Sequence, residues 1–285
     1  MPELPEVETT VRMVRPGLQG RTIRGLRVGW ERSLGGMSSA QFGRRVRGAR
    51  IAQVSRRAKY IVLSLERSGS PSGFIFVHLR MSGRLCIATP AAPLEAGLVA
   101  YTRVRLKLDR GELAFVDVRK FGRFVFVNER EEITAGLGPE PLGKEFTESG
   151  FRQALGVRKR LLKPLLLDQT FLAGLGNIYV DEALHRAGLH PQRRSDRVPA
   201  AAVGRLYREI RATLSEAIER EGSSFDGFYR TPEGQPGQYQ AQFRVYGRTG
   251  RPCLTCGRAI KRIVVGQRGT HFCTRCQPAP RPNNS

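Results

Sequence analysis

Two sets of residues in this chain have the types and spacing to do chemistry. The first is Cys253-x2-Cys256 followed, sixteen residues later, by Cys273-x2-Cys276. Two such knuckles can present four thiolates tetrahedrally to zinc at about 2.3 Å. A disulfide pair or an iron–sulfur centre is the other use of this spacing. Cysteine fills all four positions, so no coordination site stays open and the metal reads as structural, one ion per chain. The second set is Pro2 and Glu3, with Glu6 one turn on. Pro2 is small enough for Met1 to be removed, which exposes a secondary amine. An α-amine titrates near about 7.7–8.0, so part of it is free base at neutral pH. Such an amine can attack an aldehydic carbon and form an iminium. Glu3 and Glu6 could then serve the proton transfers. In isolation, a Met-Pro-Glu start is most often a tolerated terminus. The fifth cysteine, Cys86, lies in a strand pattern and reads as a plain buried thiol.

The elements that must position these groups follow from periodicity. Leu4, Val7, Val11 and Val14 recur at helical spacing, with Pro5 suited to the first turn and Glu6 and Glu8 where the helix dipole favours anions. After Gly17 the pattern turns to period two, through Ile23–Val28, Tyr60–Leu65, Phe74–Leu79, Val104–Leu108, Leu113–Val118 and Phe124–Phe126. Many short strands with Gly, Ser and Asp turns predict an antiparallel sandwich or barrel over roughly residues 17 to 130. A Gly/Pro linker at 136–146 precedes a helical region. In it Val203, Leu206, Tyr207, Ile210, Leu214, Ala217 and Ile218 form one apolar stripe, ended by Gly222. Residues 222–240, rich in Gly, Ser, Pro and Gln, read as a long mobile loop. Ile263–Val265, a turn at Gly266-Gln267-Arg268-Gly269 and a return strand make the segment between the cysteine pairs a hairpin, and the tail from 278 reads as unstructured.

The chain carries 48 Lys+Arg against 25 Asp+Glu, a formal charge of +23 and a pI near 11.1, and only seven of the cations are lysine. That balance points to a polyanion, nucleic acid or an anionic membrane surface, although a GC-rich genome would also inflate arginine. The acidic start has no apolar segment of the secretory kind, and no run of about 18 apolar residues exists. A soluble, intracellular protein is expected. The finger hairpin carries Arg258, Lys261, Arg262, Arg268 and Arg275, which suits a β-ribbon laid against DNA as well as a solvated basic surface.

Six motifs in register resemble the bacterial formamidopyrimidine-DNA glycosylase family. They are Pro2-Glu3-Leu4-Pro5-Glu6-Val7-Glu8-Thr9, His78-Leu79-Arg80-Met81-Ser82-Gly83, Asp117-Val118-Arg119-Lys120-Phe121-Gly122, Gly174-Leu175-Gly176-Asn177-Ile178-Tyr179, Val245-Tyr246-Gly247-Arg248 and the four-cysteine finger. The resemblance spans residues 2 to 276. It implies an α+β multidomain fold: an N-terminal antiparallel β-sandwich with a short N-terminal helix (1–135), a linker (136–146) and a helix-two-turns-helix domain (147–222). A lesion-recognition loop region (223–242), a β-hairpin zinc finger (243–277) and a disordered tail (278–285) complete it.

The activity implied is base-excision repair of oxidised purines, such as 8-oxoguanine and formamidopyrimidines, in double-stranded DNA. An abasic-site lyase acting by β,δ-elimination goes with it, carried by a monomer in the bacterial cytoplasm without membrane attachment. By similarity Pro2 is the nucleophile at C1′, Glu3 the general acid at the deoxyribose, and Glu6 a support. Lys59 serves β-elimination and phosphate contact; Arg268 grips phosphate and assists δ-elimination. His78, Arg158, Lys163, Asn177 and Tyr246 fall on DNA-contacting positions. Because a glycosylase must flip its target nucleotide, Met81, Arg119 and Phe121 correspond to the wedge that fills the gap. Where the family often has a DNA-contacting histidine, this chain has Tyr101-Thr102-Arg103, and Tyr101 stands in its place. The loop at Glu221–Gly227 and the Leu-Pro-Glu-Val start favour purine lesions over the pyrimidine lesions of the sister endonuclease VIII type. A non-catalytic zinc-containing DNA-binding protein is the reading from another class.

Overall fold

A computed structural model describes residues 1–225 and 227–280. Most of the tail expected to be disordered, 281–285, and Asp226 lie outside the described residues. The chain divides into two compact units, Met1–Ala135 with Arg220–Gln238, and Gly136–Glu219 with the residues from Tyr239 onward.

The first unit opens with α1 (Leu4–Leu18), whose Leu4, Val7, Val11, Val14 and Leu18 are all fully buried. Strands β1 (Ile23–Val28), β2 (Arg50–Arg57), β3 (Tyr60–Arg67), β4 (Ser70–His78) and β5 (Gly83–Ala88) follow, with α2 (Ser39–Val46) between β1 and β2. After the short α3 (Ala96–Val99) come β6 (Thr102–Leu108), β7 (Glu112–Asp117), β8 (Arg123–Val127) and α4 (Glu131–Thr134). They build two four-stranded antiparallel sheets, ordered β1-β6-β7-β5 and β2-β3-β4-β8. Both sheets face one core: Leu106 and Phe115 from one, Val54 and Ile61 from the other, Phe42 from α2 and Val11 from α1. Inward apolar residues alternating with solvent-facing ones produce this arrangement, as period-two patterning demands. The expected α+β sandwich is therefore the fold.

Residues 220–238, read from composition as a mobile loop, are packed. Tyr229 and Thr231 are buried, and an isolated antiparallel bridge joins Ser223 to Gln238. The polar composition misleads because polar side chains pin the segment to itself: Ser224 Oγ donates to Tyr229 O and accepts from Gly237 N.

The second unit holds α5 (Glu148–Val157), α6 (Leu162–Leu167), α7 (Asn177–Arg186) and α8 (Ala200–Glu219). The stripe read on α8 is its buried face, with Tyr207 half-buried and donating its hydroxyl to Phe146 O. Between α6 and α7 the chain makes two turns stapled by Gln169. Its Nε2 donates to Leu167 O and Leu175 O, and its Oε1 accepts from Gly174 N, each at 2.9 Å. The finger strands β9 (Lys261–Val265) and β10 (Arg268–Phe272) form an antiparallel hairpin. Its two-residue turn, Gly266-Gln267, has φ of +55° and +61°, as a type I′ turn requires.

Candidate active site and nucleic-acid interface

In the first unit Pro2 and Glu3 are buried at the start of α1. Glu6 closes a capping box: its Oε2 accepts from Glu3 N at 2.8 Å. Its other oxygen, Oε1, accepts from Ser223 N at 2.8 Å, so one carboxylate joins the N-terminus to the segment after α8. A side chain at Gly222 would meet Glu6 Cγ and Oε1 at 2.8 Å, and Gly222 has φ +79°. Only glycine fits that approach.

Lys59 is 7% exposed and sits in the two-residue β2–β3 turn, next to Ala58 at φ +51°. Arg56 fixes this turn from both sides. Its Nη1 donates to Ala58 O at 3.0 Å, and its Nε pairs with Glu8 Oε2 on α1, also at 3.0 Å. The helix that follows Pro2 and the turn that carries Lys59 are thus tied through one half-buried ion pair, an interaction the sequence reading missed. Arg56 stands in the Arg-Arg-Ala-Lys run, but nothing in sequence pairs it with Glu8, 48 positions away.

The three residues expected to form a wedge lie in two connections. Met81, half-buried, follows Arg80 at φ +53° between β4 and β5. Arg119 and the exposed Phe121 flank Lys120 at φ +60° between β7 and β8. Gly83 and Asp117 are cross-strand partners, so these connections leave the sheet side by side. Buried Asp117 organises both: Oδ1 accepts from Ser82 Oγ at 2.5 Å and Arg119 N at 3.2 Å, and Oδ2 from Gly122 N at 2.7 Å. The Arg119 guanidinium lies over the Phe121 ring at 5.0 Å and over the Phe228 ring at 5.9 Å. Left-handed backbone at non-glycine residues costs on the order of 1–3 kcal/mol each, and here it recurs beside Lys59, Met81 and Phe121. Tyr101 is exposed, with the Arg103 guanidinium 5.9 Å from its ring.

His78 pairs across the sheet with Tyr60 and accepts Arg80 N–H on Nδ1 at 3.0 Å, which leaves Nε2 to carry the proton. Burial, helped by the charges of Arg80 and Lys59, pushes it down to about 3. The unfolded imidazole takes a proton below about pH 6.5 while the folded one does not. Stability from this group is therefore complete above that pH and is lost as pH falls toward the folded value. Between pH 7.5 and pH 5, urea unfolding of the first unit should lose about 2 kcal/mol from His78 at roughly 1.4 kcal/mol per unit. His78→Gln should flatten that slope, and an unchanged slope would refute the assignment.

In the second unit α7 acts as the seat of the finger. Asn177 Nδ2 donates to Gly269 O at 3.0 Å, and Asp181 Oδ2 accepts from His271 N at 2.8 Å. Glu182 accepts from Arg244, Val245 and Tyr246 N at 2.8–3.0 Å, and His185 Nε2 lies 3.5 Å from Cys253 Sγ. Burial pushes the Glu182 carboxyl up, opposed by those three N–H donors and Arg186. Asn177, Asp181 and His185 are spaced four apart on one helix face, a pattern present in the sequence but overlooked there.

Lys163, expected at a DNA-contacting position, is fully buried, and its Nζ donates to Asp181 Oδ1 at 2.6 Å and Gly269 O at 3.0 Å. Its charge is spent inside the unit, holding the hairpin beside Arg268. Arg158 and Arg268 are exposed, and Tyr246 is half-buried with its ring 4.9 Å from that of His271.

The sulfurs of Cys253, Cys256, Cys273 and Cys276 lie within 4.8 Å of one another. A zinc tetrahedron with bonds of about 2.3 Å has sulfur–sulfur edges of about 3.8 Å. Cys253–Cys276 is 3.8 Å and Cys256–Cys273 is 3.4 Å, so the donor set fits zinc. Burial would raise the Cys253 thiol, but N–H donors from Thr255 and Cys256 hold it down at about 7, while burial and neighbouring thiols push Cys276 up. A divalent cation resolves that crowding by taking all four as thiolates. Cys86 is buried apart from them, its thiol pushed up by burial.

Among the described residues no helix is long and apolar enough to cross a membrane. Three family models match the chain: the formamidopyrimidine-DNA glycosylase N-terminal domain over residues 1–124, its H2TH domain over 137–228, and a zinc finger found in FPG and IleRS over 250–279. The chain is 43% identical over 282 residues to the formamidopyrimidine-DNA glycosylase of Heliobacterium modesticaldum, covering 97% of this chain and all of the relative. The enzyme of the same name from Herpetosiphon aurantiacus is 42% identical over the same shares. A Lactococcus lactis FPG mutant solved in complex with Fapy-dG-containing DNA superposes with a TM-score of 0.86 at 35% identity, covering 98% of this chain and all of that one.

Proposed function

Because the chain belongs to the formamidopyrimidine-DNA glycosylase family, we propose that it is a base-excision repair enzyme that removes oxidised purines from duplex DNA and then cuts the abasic strand. The observation that carries this reading is the buried terminus, where Pro2 and two nearly inaccessible carboxylates, Glu3 at 3% and Glu6 at 2% exposure, sit together. A protein that only gripped DNA would have no use for desolvated acids at its first residues.

With Met1 removed, the Pro2 nitrogen attacks C1′ and the glycosidic electron pair leaves with the base, which takes up a proton. Opening of the sugar, with Glu3 donating a proton to the ring oxygen, gives an iminium between Pro2 and C1′. Loss of a C2′ proton then expels the 3′ phosphate, a second elimination expels the 5′ phosphate, and water releases the amine. Glu6 holds the terminus in place. Lys59 serves the first elimination and contacts phosphate, and Arg268 grips phosphate for the second. Met81, Arg119 and Phe121 enter the stack vacated by the flipped nucleotide, where Arg119, already lying over the Phe121 ring, can face the orphaned base. His78, Tyr101, Arg158, Asn177 and Tyr246 serve as DNA contacts; Lys163 acts indirectly, through Gly269. The zinc is structural, holding the hairpin from which Arg268 projects.

The sandwich (1–135), linker (136–146), helical domain (147–222), lesion loop (223–242) and finger (243–277) are the parts of this machine. We place it in the bacterial cytoplasm, working as a monomer on the chromosome; its named relatives are bacterial and its charge is +23. The test is excision from duplexes holding one 8-oxoguanine or one thymine glycol. Faster release from the 8-oxoguanine duplex, with strand cleavage, is expected. Preference for thymine glycol would move the enzyme to the pyrimidine-specific type, and binding without excision would reduce it to a DNA-binding protein.

A further inference from the structure

We propose that His185 is the hydrogen-bond donor that shields the zinc-bound Cys253 thiolate and slows oxidative loss of the metal. The inference rests on the structural zinc assigned above. His185 is 4% exposed on α7, with Nε2 3.5 Å from Cys253 Sγ. Its Nδ1 is also buried and has no hydrogen-bond partner, so the ring's one polar engagement is with sulfur. A zinc-bound cysteine is an anionic acceptor with no proton to give. Only the tautomer bearing its proton on Nε2 faces it favourably; the other sets a nitrogen lone pair against a thiolate and buries an unpaired N–H. The helix register makes the contact dependable. Asn177, Asp181 and His185, each four residues after the last, reach Gly269, His271 and Cys253 in turn.

The consequence is chemical. A thiolate bound to zinc remains a nucleophile toward peroxide, and its nucleophilicity falls when a donor draws on its lone pair. In the oxidation at issue, two thiolates give two electrons to hydrogen peroxide. One S–S bond forms and the O–O bond breaks, two protons are taken up to make two waters, and Zn²⁺, now held by only two thiolates, dissociates from them as well, so that all four Zn–S bonds are lost. Cys253 and Cys276, at 3.8 Å, are close enough to follow this path. An enzyme that meets oxidised DNA works where peroxide is present, so a guarded thiolate has an evident use.

The test uses the full-length zinc-loaded protein, with zinc release under hydrogen peroxide followed by a chromogenic chelator. His185→Phe, which fills the space without a donor, should release zinc about tenfold faster than the parent. His185→Gln, which can place an amide N–H near the same point, should restore most of the resistance. In the cobalt-substituted proteins the sulfur-to-cobalt charge-transfer band should move to lower energy in His185→Phe and stay in place in His185→Gln. Equal release rates with an unmoved band would overturn the proposal. Faster release with an unmoved band would also overturn it, since that outcome reports loosened packing alone. If His185→Phe does not fold, His185→Leu against His185→Gln makes the same comparison. Parent protein purified without about one zinc per chain would instead refute the metal assignment.

Discussion

Replacing Pro2 by glycine is expected to reduce the borohydride-trapped adduct with 8-oxoguanine duplex by a hundredfold or more, on the order of what covalent and proton-transfer catalysis contribute. Glycine is the informative choice because Met1 is still removed ahead of it, so an amine remains at the same position in sequence. What is lost is the ring. Proline offers a secondary amine whose iminium carries no N–H, and its ring ties the amine's second substituent back to the chain beside the buried Glu3 and Glu6. Pro2 precedes α1 and contributes no helical hydrogen bond, so thermal unfolding of the first unit should be nearly unchanged. Peptide mapping of the trapped parent should find the adduct on Pro2. An adduct on Lys59, or full trapping by the glycine variant, would remove Pro2 from the chemistry.

Asp181→Ala should destabilise the second unit by about 3–5 kcal/mol, the usual cost of leaving a buried charge alone. The carboxylate is fully buried and serves two groups: it pairs with Lys163 at 2.6 Å and accepts His271 N–H at 2.8 Å. Its removal leaves a buried ammonium without its counter-charge and loosens the finger strand, which α7 then holds through Asn177 and Gly269 O. Urea unfolding, with zinc retention followed in parallel, should show an earlier transition and faster metal loss. Asp181→Leu combined with Lys163→Met should recover much of the stability, because an apolar pair of similar volume avoids the desolvation of both ions. Single-variant stability equal to the parent would show that the pair is not the tie described here.

Much of the site was legible in residue order because its chemistry is local. The cysteine pairs carry their meaning in two short spacings, and the α8 stripe and the period-two strands repeat within a few residues. The finger hairpin is likewise local, although the turn read as Gly266-Gln267-Arg268-Gly269 is only Gly266-Gln267, with Arg268 and Gly269 already paired in β10. What escaped sequence reading was held by partners far apart. Glu8 meets Arg56 across 48 positions, Asp117 meets Ser82 across 35, and Glu182 meets the N–H groups of 244–246 across more than 60. Residues 222–240 looked loose because their composition is polar, yet Ser223 N and the Tyr229 hydroxyl reach Glu6 across more than 200 positions, partners that composition cannot name.

The amino-acid order by itself determined the class of fold, the metal-binding set and the family, since those depend on periodicity, on spacing and on motifs in register. It also determined a charge of +23 suited to DNA. Only the tertiary structure decided where that charge is available. Arg158 and Arg268 face solvent, while Lys163, an equal cation in sequence, is buried against Asp181. The reason is desolvation: a charge keeps its reach only where water can solvate it until a ligand arrives. Whether a given lysine meets water or a carboxylate depends on how distant segments pack.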